Sequence, residues 1–552
     1  IIFLTNSIRV GSVIVPFVLF IFAVVVCVVY EFRGIPMMAP DILTVQTATS
    51  VMGNYTFKLT FEQYSVILVC MAFFFTFLRL HEVKVTEKRV FHIAGFIVVA
   101  LGCGLFTNQI ILSDFMEEHQ INIRMFRPME SYQKYGGVLT FARSVGYAVV
   151  KKPEGYTTAK VDQIIQEYEK KSANEQQSTA KQYPNIITVV NETFADIKVL
   201  GDFKTNEDYM PYFHSLKKNC VTGYTYASIV GGQTANTEFE LLTGNTLGFL
   251  SAGTTAFQLY IHGQMPSLVS NLKAEGYSGN KAMHPFNPYN YNRPAVYKDF
   301  GFTDFIDKFD FPKNVKRVRE YISDEANVDR IISEYEKNRK KTDQPFYMYN
   351  MTIQNHSPYD KDAANFKQPI KIESSKYDAE ANRYLNLIKY SDDSLKQLTG
   401  YFEKCKEPTI ILFLGDHQPR LTDEFMNKIT NGQYQTWSSE QMMKRYQVPF
   451  VIWANYDIKE QHIEKTSMNY IQSILTKTAG VKMTGYQRFL NEVRKEVPTI
   501  TSQGYWGKNG KFYQINDKGS PYYGIIQKYR MIQYNMMFDK KNRRDSFFEV
   551  SK

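Results

Sequence analysis

Residues Thr409–His417 read TIILFLGDH, a run of apolar and β-branched residues that ends in glycine, aspartate and histidine. A short continuous apolar run of this kind predicts a buried β-strand, here Thr409–Leu414. Helical patterns such as Asp378–Tyr401 and Thr466–Ala479 alternate with such runs. Strands that alternate with helices predict an α/β domain whose largely parallel central sheet is flanked by helices. The other predicted strands are Ile186–Val190, Phe346–Ile353 and Pro449–Trp453.

Polar side chains follow three of these predicted strands. Glu192 follows Ile186–Val190, and His356 follows Phe346–Ile353. Asp416 and His417 follow Thr409–Leu414. Ligands of parallel α/β sheets bind beyond the carboxyl ends of the strands. A single carboxylate or imidazole at a strand end is more often a structural cap, whereas three strands ending in this way predict a metal or phosphate site.

A candidate nucleophile lies in Val230–Thr246, which reads VGGQTANTEFELLTGNT. Two glycines allow the backbone to approach closely, and Thr234 then precedes a short predicted helix, Asn236–Leu242. A hydroxyl near a helix N-terminus lies where backbone N–H groups favour an anion. From this segment alone, Thr234 is either a nucleophile or, like Asn236, an N-cap of the helix.

These motifs resemble those of the lipoteichoic acid synthase family, membrane phosphoglycerol transferases within the sulfatase and alkaline phosphatase superfamily. That family has a metal-binding Glu after its first strand, which Glu192 matches in VVNETFAD. Its nucleophilic Thr lies in the pattern G-[KQ]-T-[SA]-x-[ST]-E-F, which Gly232–Phe239 fits with Thr234 at the nucleophile position. Its paired ligands lie in a strand-G-D-H motif, which Asp416 and His417 match. The resemblance covers nearly the whole chain and implies a sulfatase-like catalytic domain.

The resemblance extends to residues that contact the phosphoglycerol group. The family has a His followed by an aromatic residue seven positions later and an Arg nine positions later, matched by His284, Tyr291 and Arg293. Trp is frequent in the family at the position of Tyr291. A strand followed by N-H-x-P-[FY] is matched by Asn355–Tyr359, which contains His356. These matches imply that His284, Tyr291, Arg293 and His356 bind substrate.

The implied reaction is a two-step transfer of glycerol phosphate from phosphatidylglycerol with release of diacylglycerol. Thr234 attacks the phosphorus to form a phosphoglyceryl-threonine, which an acceptor hydroxyl then attacks. His356 or His284 transfers protons, Arg293 binds phosphate oxygens and Tyr291 packs against the glycerol.

The implied metal ligands are Glu192, Thr234, Asp416 and His417. This set of three oxygens and one imidazole suits a single divalent ion, with Mn²⁺ or Mg²⁺ preferred, and Zn²⁺ is also compatible with it. Mn²⁺ is the predicted ion.

The residues after the G-D-H motif bear on the acceptor. Family members that polymerise lipoteichoic acid carry an aromatic residue and Gly there, whereas this chain reads GDHQPRL from Gly415 to Leu421. This variant resembles relatives that place glycerol phosphate on cell-wall polysaccharides. The expected acceptor is therefore a hydroxyl of a cell-envelope glycopolymer or glycolipid.

Three other functions share parts of this pattern. A phosphoethanolamine transferase of the same superfamily also uses Thr and a metal, but the pocket from His284 to Arg293 favours glycerol. A sulfatase needs Cys or Ser in a C/S-x-P-x-R context, which QTANTEF around Thr234 lacks. A non-catalytic membrane scaffold with a sulfatase-like domain is disfavoured by the intact ligand set.

The first ~115 residues are mostly apolar and contain three predicted spans. The first and third have the ~20 residues that cross a bilayer, whereas the second spans it only if Phe61 and Leu80 are included. Cytoplasmic loops carry an excess of Lys and Arg. The basic loop between the second and third spans is therefore predicted to be cytoplasmic, which places the rest of the chain outside the cell. The expected location is the cell membrane of a Gram-positive-like bacterium, with several spans and an extracellular catalytic domain. The spans are Gly11–Tyr30, Tyr64–Leu78 and Ile93–Leu112, and the basic residues are Arg79, Lys84, Lys88 and Arg89.

The predicted domains are transmembrane helices over 1–114, juxtamembrane connecting helices over 115–183, and the extracellular sulfatase-like domain over 184–552. Val138–Val150 is mostly apolar and is followed by Lys151 and Lys152. This pattern is typical of a helix on the membrane surface, and equally of a helix packed on the globular domain. The chain opens on apolar residues without a Met, so we expect further residues, and further spans, before Ile1.

Composition excludes several other classes. The chain has 552 residues, 44% of them hydrophobic and 22% charged, which excludes disordered, collagen-like and coiled-coil proteins. Its net charge of +10 suits an anionic lipid donor, although the same charge also simply favours solubility. No basic stripe or nucleic-acid motif is present in the sequence, so no nucleic-acid partner is expected. Five cysteines, three of them in the predicted spans, predict no disulfide framework.

Overall fold

The computed structural model of the protein describes residues 2–33, 36–39, 61–79, 81, 84, 89–113, 115–119, 121, 128–148, 150–172, 182–251, 254–373 and 378–550. Lys88 of the predicted cytoplasmic loop lies outside these residues. The chain forms two compact units. One comprises residues 1–150 with 251–254, and the other comprises residues 151–250 with 255–552.

The first unit is built from helices. Two stretches, Ile8–Cys27 with 20 residues and Val90–Leu112 with 23, are long and apolar enough to cross a membrane by length and composition. Only 6% of the first and 0% of the second is buried within the described residues, unlike the core helix of a soluble domain. The middle predicted span, Tyr64–Leu78, is a shorter apolar helix. The longer helices of this unit are Ile8–Arg33, Phe61–Leu78, Arg89–Phe106 with a π-helical turn over Thr107–Leu112, Pro128–Tyr135 and Gly137–Ala148.

The second unit contains a central sheet of eight strands. In chain order, the strands described in this unit are β1 (Asn185–Asn191), β2 (Cys220–Tyr226), β3 (Ser278–Met283), β4 (Asp304–Ile306), β5 (Arg317–Val318), β6 (Tyr321–Ile322), β7 (Phe346–Met351), β8 (Thr409–Gly415), β9 (Gln447–Ala454), β10 (Gln461–Ser467), β11 (Thr499–Thr501), β12 (Gly504–Trp506) and β13 (Phe512–Tyr513). The central sheet has the order β10-β2-β9-β8-β1-β7-β3-β4, while β5-β6 and β11-β12-β13 form small separate sheets. Within the central sheet, β9 runs antiparallel to both of its neighbours and the other pairs are parallel. The predicted largely parallel sheet is confirmed.

Helices flank this sheet and bury it. Every residue of β1, β7 and β8 is buried, which is typical of parallel strands covered on both faces. On one face, Ile187 of β1 and Phe413 of β8 share a buried apolar cluster with Leu385 of helix Ala379–Phe402. The longer helices of this unit are Thr158–Ser172, Thr234–Thr243, Leu268–Ala274, Arg293–Phe300, Asp324–Arg339, Ala379–Phe402, Asp423–Thr430, Met468–Thr478, Gly485–Glu496 and Tyr523–Met537.

The four predicted strands are observed as β1, β7, β8 and β9, with ends that differ by at most two residues. Strands β2 and β3 were not predicted. Their sequences, CVTGYTY and SGNKAM, contain glycine and few large apolar residues, so their strand conformation depends on pairing with neighbours in the sheet.

The register of the sheet brings three predicted site segments to one edge. Asn191, the last residue of β1, pairs with Gly415, the last residue of β8. Glu192 and Asp416 are the next residues of the chain, so they lie side by side at the ends of two paired strands. On the other flank, β3 pairs with β7, so His284 follows β3 at the same carboxyl edge.

Candidate active site

Three buried side chains converge at this edge. Ligand-type atoms of Glu192, Asp416 and His417 all lie within 4.8 Å of one another. His417 Nε2 is 3.3 Å from Asp416 Oδ2 and 3.8 Å from Glu192 Oε1. The structure thus brings together three of the four predicted metal ligands. Two carboxylates and an imidazole could hold a divalent cation.

The hydrogen bonds around these ligands leave two atoms facing the centre. Asp416 Oδ1 accepts hydrogen bonds from the backbone N–H groups of Thr193 at 2.6 Å and His417 at 2.8 Å. The Nδ1–H of His417 donates to the carbonyl of Gln418 at 3.0 Å, which directs the lone pair of Nε2 into the site. Asp416 Oδ2 and His417 Nε2 are buried without a hydrogen-bond partner among the described residues. Because buried polar atoms normally have partners, two unpartnered acceptors this close together fit a bound cation.

The electrostatic environment of Glu192 also fits a bound cation. Burial, together with the neighbouring Asp416, raises the pKa of Glu192 to about 8, against the opposing effects of His417 and of a 2.8 Å hydrogen bond from Thr193 Oγ1. Two carboxylates buried side by side repel each other when both are ionised. A divalent cation would offset that repulsion and keep both ionised.

The glycine of the G-D-H motif has a steric cause. A Cβ atom on Gly415 would lie 1.8 Å from the carbonyl oxygen of Phe194. Only glycine allows β8 to pass this close to the segment that follows Glu192. The close approach places Asp416 beside Glu192.

Thr234 is the first residue of helix Thr234–Thr243 and is nearly buried, with 7% of its surface exposed. Gln233 before it has the left-handed conformation φ 66°, ψ 37°, which costs energy for a residue other than glycine and often marks a functional turn. The alternative that Thr234 or Asn236 is an N-cap is wrong. Gln233 occupies that position, and Asn236 Oδ1 instead accepts a hydrogen bond of 2.9 Å from the backbone of Ala256. The helix also begins two residues earlier than predicted.

The start of this helix is tied to the turn that carries Asp416. Thr237 Oγ1 donates a hydrogen bond of 2.8 Å to the carbonyl of Asp416, and Gly231 N–H donates to the carbonyl of Gln418 at 3.0 Å. Residues three apart on a helix lie on the same face, so Thr237 and Thr234 face the same side. The nucleophile candidate therefore begins a helix that is anchored at the metal-ligand turn.

Arg293 is buried and held by Glu238. Its Nε and Nη2 donate hydrogen bonds of 3.1 and 2.6 Å to Glu238 Oε1. Glu238 Oε2 accepts hydrogen bonds from the hydroxyls of Tyr297 at 2.5 Å and Tyr349 at 3.0 Å. Although burial opposes the cation, Glu238 raises the pKa of Arg293 above its usual value. Arg293 therefore stays charged in a fixed orientation.

His284 and Tyr291 lie around Arg293. The guanidinium carbon is 5.1 Å from the centre of the Tyr291 ring. His284 Nδ1 is 3.0 Å from the carbonyl of Met351. Burial, and then the charge of Arg293, lowers the pKa of His284 well below its usual value, so this imidazole is neutral. Three of the predicted substrate-binding residues thus form one group.

His356 lies on the loop after β7 and is half-buried. Its Nδ1 is 2.7 Å from the carbonyl of Ser357, and burial lowers the pKa of His356. The loop is fixed by the buried Arg319. This guanidinium donates hydrogen bonds to the carbonyls of Gln354 at 2.9 Å, His356 at 2.7 Å and Pro358 at 2.6 Å. His356 is thereby held in place while part of its ring stays accessible.

Sequence reasoning assigned no role to three residues that shape this site. Thr237 and Glu238 lie within the Gly232–Phe239 motif, so a signal was present, but their partners Asp416 and Arg293 are distant in sequence. Arg319 lies in a short two-residue connection between β5 and β6, where no motif marks it.

Comparisons with known proteins identify the family of this domain. The sulfatase family model matches residues 184–481, more than half of the chain. A putative cyclic beta-1,2-glucan modification protein of Rhizobium meliloti (strain 1021) is 30% identical over 433 residues, which cover 77% of this chain and 65% of that protein. The lipoteichoic acid synthase of Staphylococcus saprophyticus is 24% identical over 374 residues, which cover 65% of this chain and 55% of the synthase. The chain therefore spans less than two thirds of the length of each of these relatives.

Solved structures share the fold. The Streptococcus pyogenes phosphoglycerol transferase GacH, in complex with sn-glycerol-1-phosphate, matches with a TM-score of 0.59 and 20% identity, covering 73% of this chain and 100% of that one. The lipoteichoic acid synthase LtaP of Listeria monocytogenes matches with a TM-score of 0.50 and 19% identity, covering 69% and 98%. With the family match over residues 184–481 and relatives that include lipoteichoic acid synthases, the chain belongs to the sulfatase family, as the motifs predicted.

Proposed function

We propose that this protein is a phosphoglycerol transferase that moves glycerol phosphate from phosphatidylglycerol to a hydroxyl of a cell-envelope glycopolymer or glycolipid. The observation that carries the proposal is the anchoring of the Thr234 helix to the turn of Asp416 and His417. A threonine hydroxyl at a metal site suits attack on phosphorus. Relatives named for lipoteichoic acid synthesis and glucan modification support the same reaction class.

Glu192, Asp416 and His417 would hold the metal, with Thr234 as the fourth ligand. When bound, a divalent cation lowers the pKa of a coordinated hydroxyl and neutralises charge on phosphate oxygens. The predominance of oxygen ligands favours Mn²⁺ or Mg²⁺, and Mn²⁺ is the proposed ion.

In the first step, Thr234 Oγ1 forms a bond to phosphorus and the bond from phosphorus to the diacylglycerol oxygen breaks. The threonine proton is lost and the diacylglycerol oxygen gains one, which leaves phosphoglyceryl-threonine and neutral diacylglycerol. His356 is better suited than His284 to carry this proton. It is partly accessible, whereas His284 is buried.

In the second step, the acceptor hydroxyl gives its proton to His356 as its oxygen bonds to phosphorus. The bond from phosphorus to Thr234 breaks, and the threonine oxygen regains a proton. Arg293 would contact the phosphate oxygens from its fixed position against Glu238, and Tyr291 and His284 would line the glycerol.

The apolar helices of the first unit would anchor the protein in the membrane that contains the lipid donor. We propose three spans with the catalytic domain on the outer face of the membrane, because the loop with Arg79, Lys84 and Arg89 has the charge of a cytoplasmic loop.

The test uses the full chain in liposomes that contain phosphatidylglycerol labelled in the headgroup glycerol. Wild type, Thr234→Ala and Thr243→Ala are compared with Mn²⁺ or with EDTA. Thr243 ends the same helix, so it is the matched control. We expect Mn²⁺-dependent diacylglycerol release and label on the protein in wild type and Thr243→Ala, and neither in Thr234→Ala.

Other outcomes would redirect or end the proposal. Turnover of phosphatidylethanolamine in place of phosphatidylglycerol would make the protein a phosphoethanolamine transferase. No turnover of either lipid, with no metal bound, would leave a non-catalytic scaffold. Release that persists in Thr234→Ala would remove Thr234 as the nucleophile.

A further inference from the structure

Two aromatic rings lie beside the imidazole of His356. The ring of Phe286 is 6.3 Å from it at an interplanar angle of 22°, and the ring of Tyr321 is 5.8 Å from it. Phe286 is also 6.0 Å from Tyr321 and 6.1 Å from the ring of His284. Phe286 and Tyr321 are half-buried, so part of each ring is accessible. We call these two rings the aromatic platform.

Arg319 contacts both the platform and the backbone of His356. Its guanidinium carbon is 5.3 Å from the centre of the Tyr321 ring, within the range of a cation–π contact. The same guanidinium fixes the carbonyl of His356 at 2.7 Å. A surface held in this way loses little side-chain freedom when a ligand binds. The platform is therefore already organised next to the proton carrier of the proposed reaction.

Polar groups border the apolar faces. Lys308 Nζ lies 5.9 Å from the centre of the Phe286 ring, and the hydroxyl of Tyr321 is 3.4 Å from His356 Nδ1. Aromatic side chains with an apolar body and a polar edge suit ligands that are apolar on one face and hydrated at the rim. A sugar ring has this character, with C–H groups on its faces and hydroxyls around its edge. An acyl chain would instead bury the ammonium group of Lys308 without a hydrogen-bond partner.

We propose that the aromatic platform binds a sugar ring of the acceptor and presents one of its hydroxyls to His356. This inference rests on the proposed function and names the chemistry of its second substrate. The sugar hydroxyl would lose its proton to His356 as its oxygen bonds to phosphorus. The bond from Thr234 Oγ1 to phosphorus breaks in the same step, and the proton ends on the threonine oxygen.

The experiment compares two acceptors in liposomes that contain the full chain and labelled phosphatidylglycerol. Cyclic β-1,2-glucan offers sugar rings, whereas glycerol offers the same hydroxyl chemistry without a ring. The variants are Phe286→Leu and Tyr321→Leu. The control is Tyr513→Leu, because Tyr513 is half-buried like the platform residues but packs against Tyr505 of β12. We expect the ratio of kcat/KM for glucan to kcat/KM for glycerol to fall about tenfold in both platform variants and to stay unchanged in the control.

Several results would overturn the inference. An unchanged ratio in the platform variants would mean that the rings do not recognise sugar. Equal loss of transfer to both acceptors would assign the rings to the placement of His356 alone. If the variants lost only the diacylglycerol release that is measured without acceptor, the two rings would be assigned to donor binding.

A failure of the proposed function has a separate readout, because the wild-type protein would then release no diacylglycerol. In that case binding of cyclic β-1,2-glucan to the detergent-solubilised full chain, measured by calorimetry, tests the platform alone. Binding at least tenfold weaker in Tyr321→Leu than in wild type would support the platform, and equal or no binding would overturn it.

Discussion

Arg293 donates two hydrogen bonds, of 3.1 and 2.6 Å, to one oxygen of Glu238, a residue that follows Thr234 by four positions on the same helix. Residues four apart lie on the same face of a helix. The helix that begins with the nucleophile candidate therefore also positions the arginine proposed to bind phosphate. A shift of this helix would move both groups together.

Replacing Glu238 by Gln is expected to damage both stability and activity. The substitution leaves the buried charge of Arg293 without its counter-charge, and breaking a buried pair in this way costs about 3–5 kcal/mol. Diacylglycerol release should fall about 100-fold, since Arg293 loses its fixed orientation. The control is Glu424→Gln, whose side chain is 74% exposed and pairs with Lys428, so its unfolding free energy should change by less than about 1 kcal/mol. Wild-type turnover in Glu238→Gln would contradict the role of this pair.

Thr237→Val tests the tie between the helix and the metal-ligand turn. The variant keeps the shape of the side chain but removes the 2.8 Å hydrogen bond to the carbonyl of Asp416. We expect kcat for phosphatidylglycerol to fall about tenfold, because a bond of about 1 kcal/mol is lost at a position that aligns Thr234. Thr243→Val is the matched control, since its hydroxyl bonds to Phe239 within the same helix. Equal losses in the two variants would show that the effect is on the helix in general.

Asp416→Asn tests the metal site without measuring turnover. A ligand that binds only the folded state stabilises it by about 2.7 kcal/mol at one hundred times its dissociation constant. Mn²⁺ should therefore raise the Tm of wild type by several degrees, and this rise should vanish in Asp416→Asn. Asp423→Asn, at an exposed position in the first turn of helix Asp423–Thr430, should keep the full rise. The same rise in Asp416→Asn would place the ion elsewhere.

His214 should make stability depend on pH. Hydrogen bonding to Asp196, together with Asp208 at 2.7 Å, raises the pKa of His214 to about 9. Because this pKa is higher than that of the unfolded chain, the stabilisation is complete below about pH 6.5 and is lost as pH rises through about 9. The side chain is 37% exposed, so solvent screening reduces the effect to roughly 1 kcal/mol.

The corresponding measurement is the unfolding free energy of His214→Gln and wild type at pH 6 and pH 10. We expect the variant to be less stable at pH 6 and nearly equal at pH 10. His262→Gln, at an exposed loop position, serves as the control and should show no such difference. A destabilisation of His214→Gln that is constant with pH would mean that the ring acts by packing alone.

Local sequence was sufficient for the strands that are buried on both faces. TIILFLG and NIITVVN are rich in apolar and β-branched residues, the composition of parallel strands that are covered on both faces. Strand β3, SGNKAM, carried no such signal because its conformation comes from pairing with β7. The N-cap alternative for Thr234 was wrong for a related reason. The left-handed turn at Gln233 belongs to a loop that is held by a hydrogen bond from Gly231 to the distant Gln418.

The sequence by itself determined the fold class, the family motifs and the chemical identity of the proposed ligands, because apolar runs and short motifs are local properties of the chain. Only the tertiary structure decided which of these residues meet. The pairing of Asn191 with Gly415 places Glu192 beside Asp416, and the packing of one helix joins Thr237 to Asp416 and Glu238 to Arg293. These contacts link residues 55 to 224 positions apart in sequence. They arise from the register of a parallel sheet and from the burial of charge. No local pattern in the sequence encodes these long-range contacts.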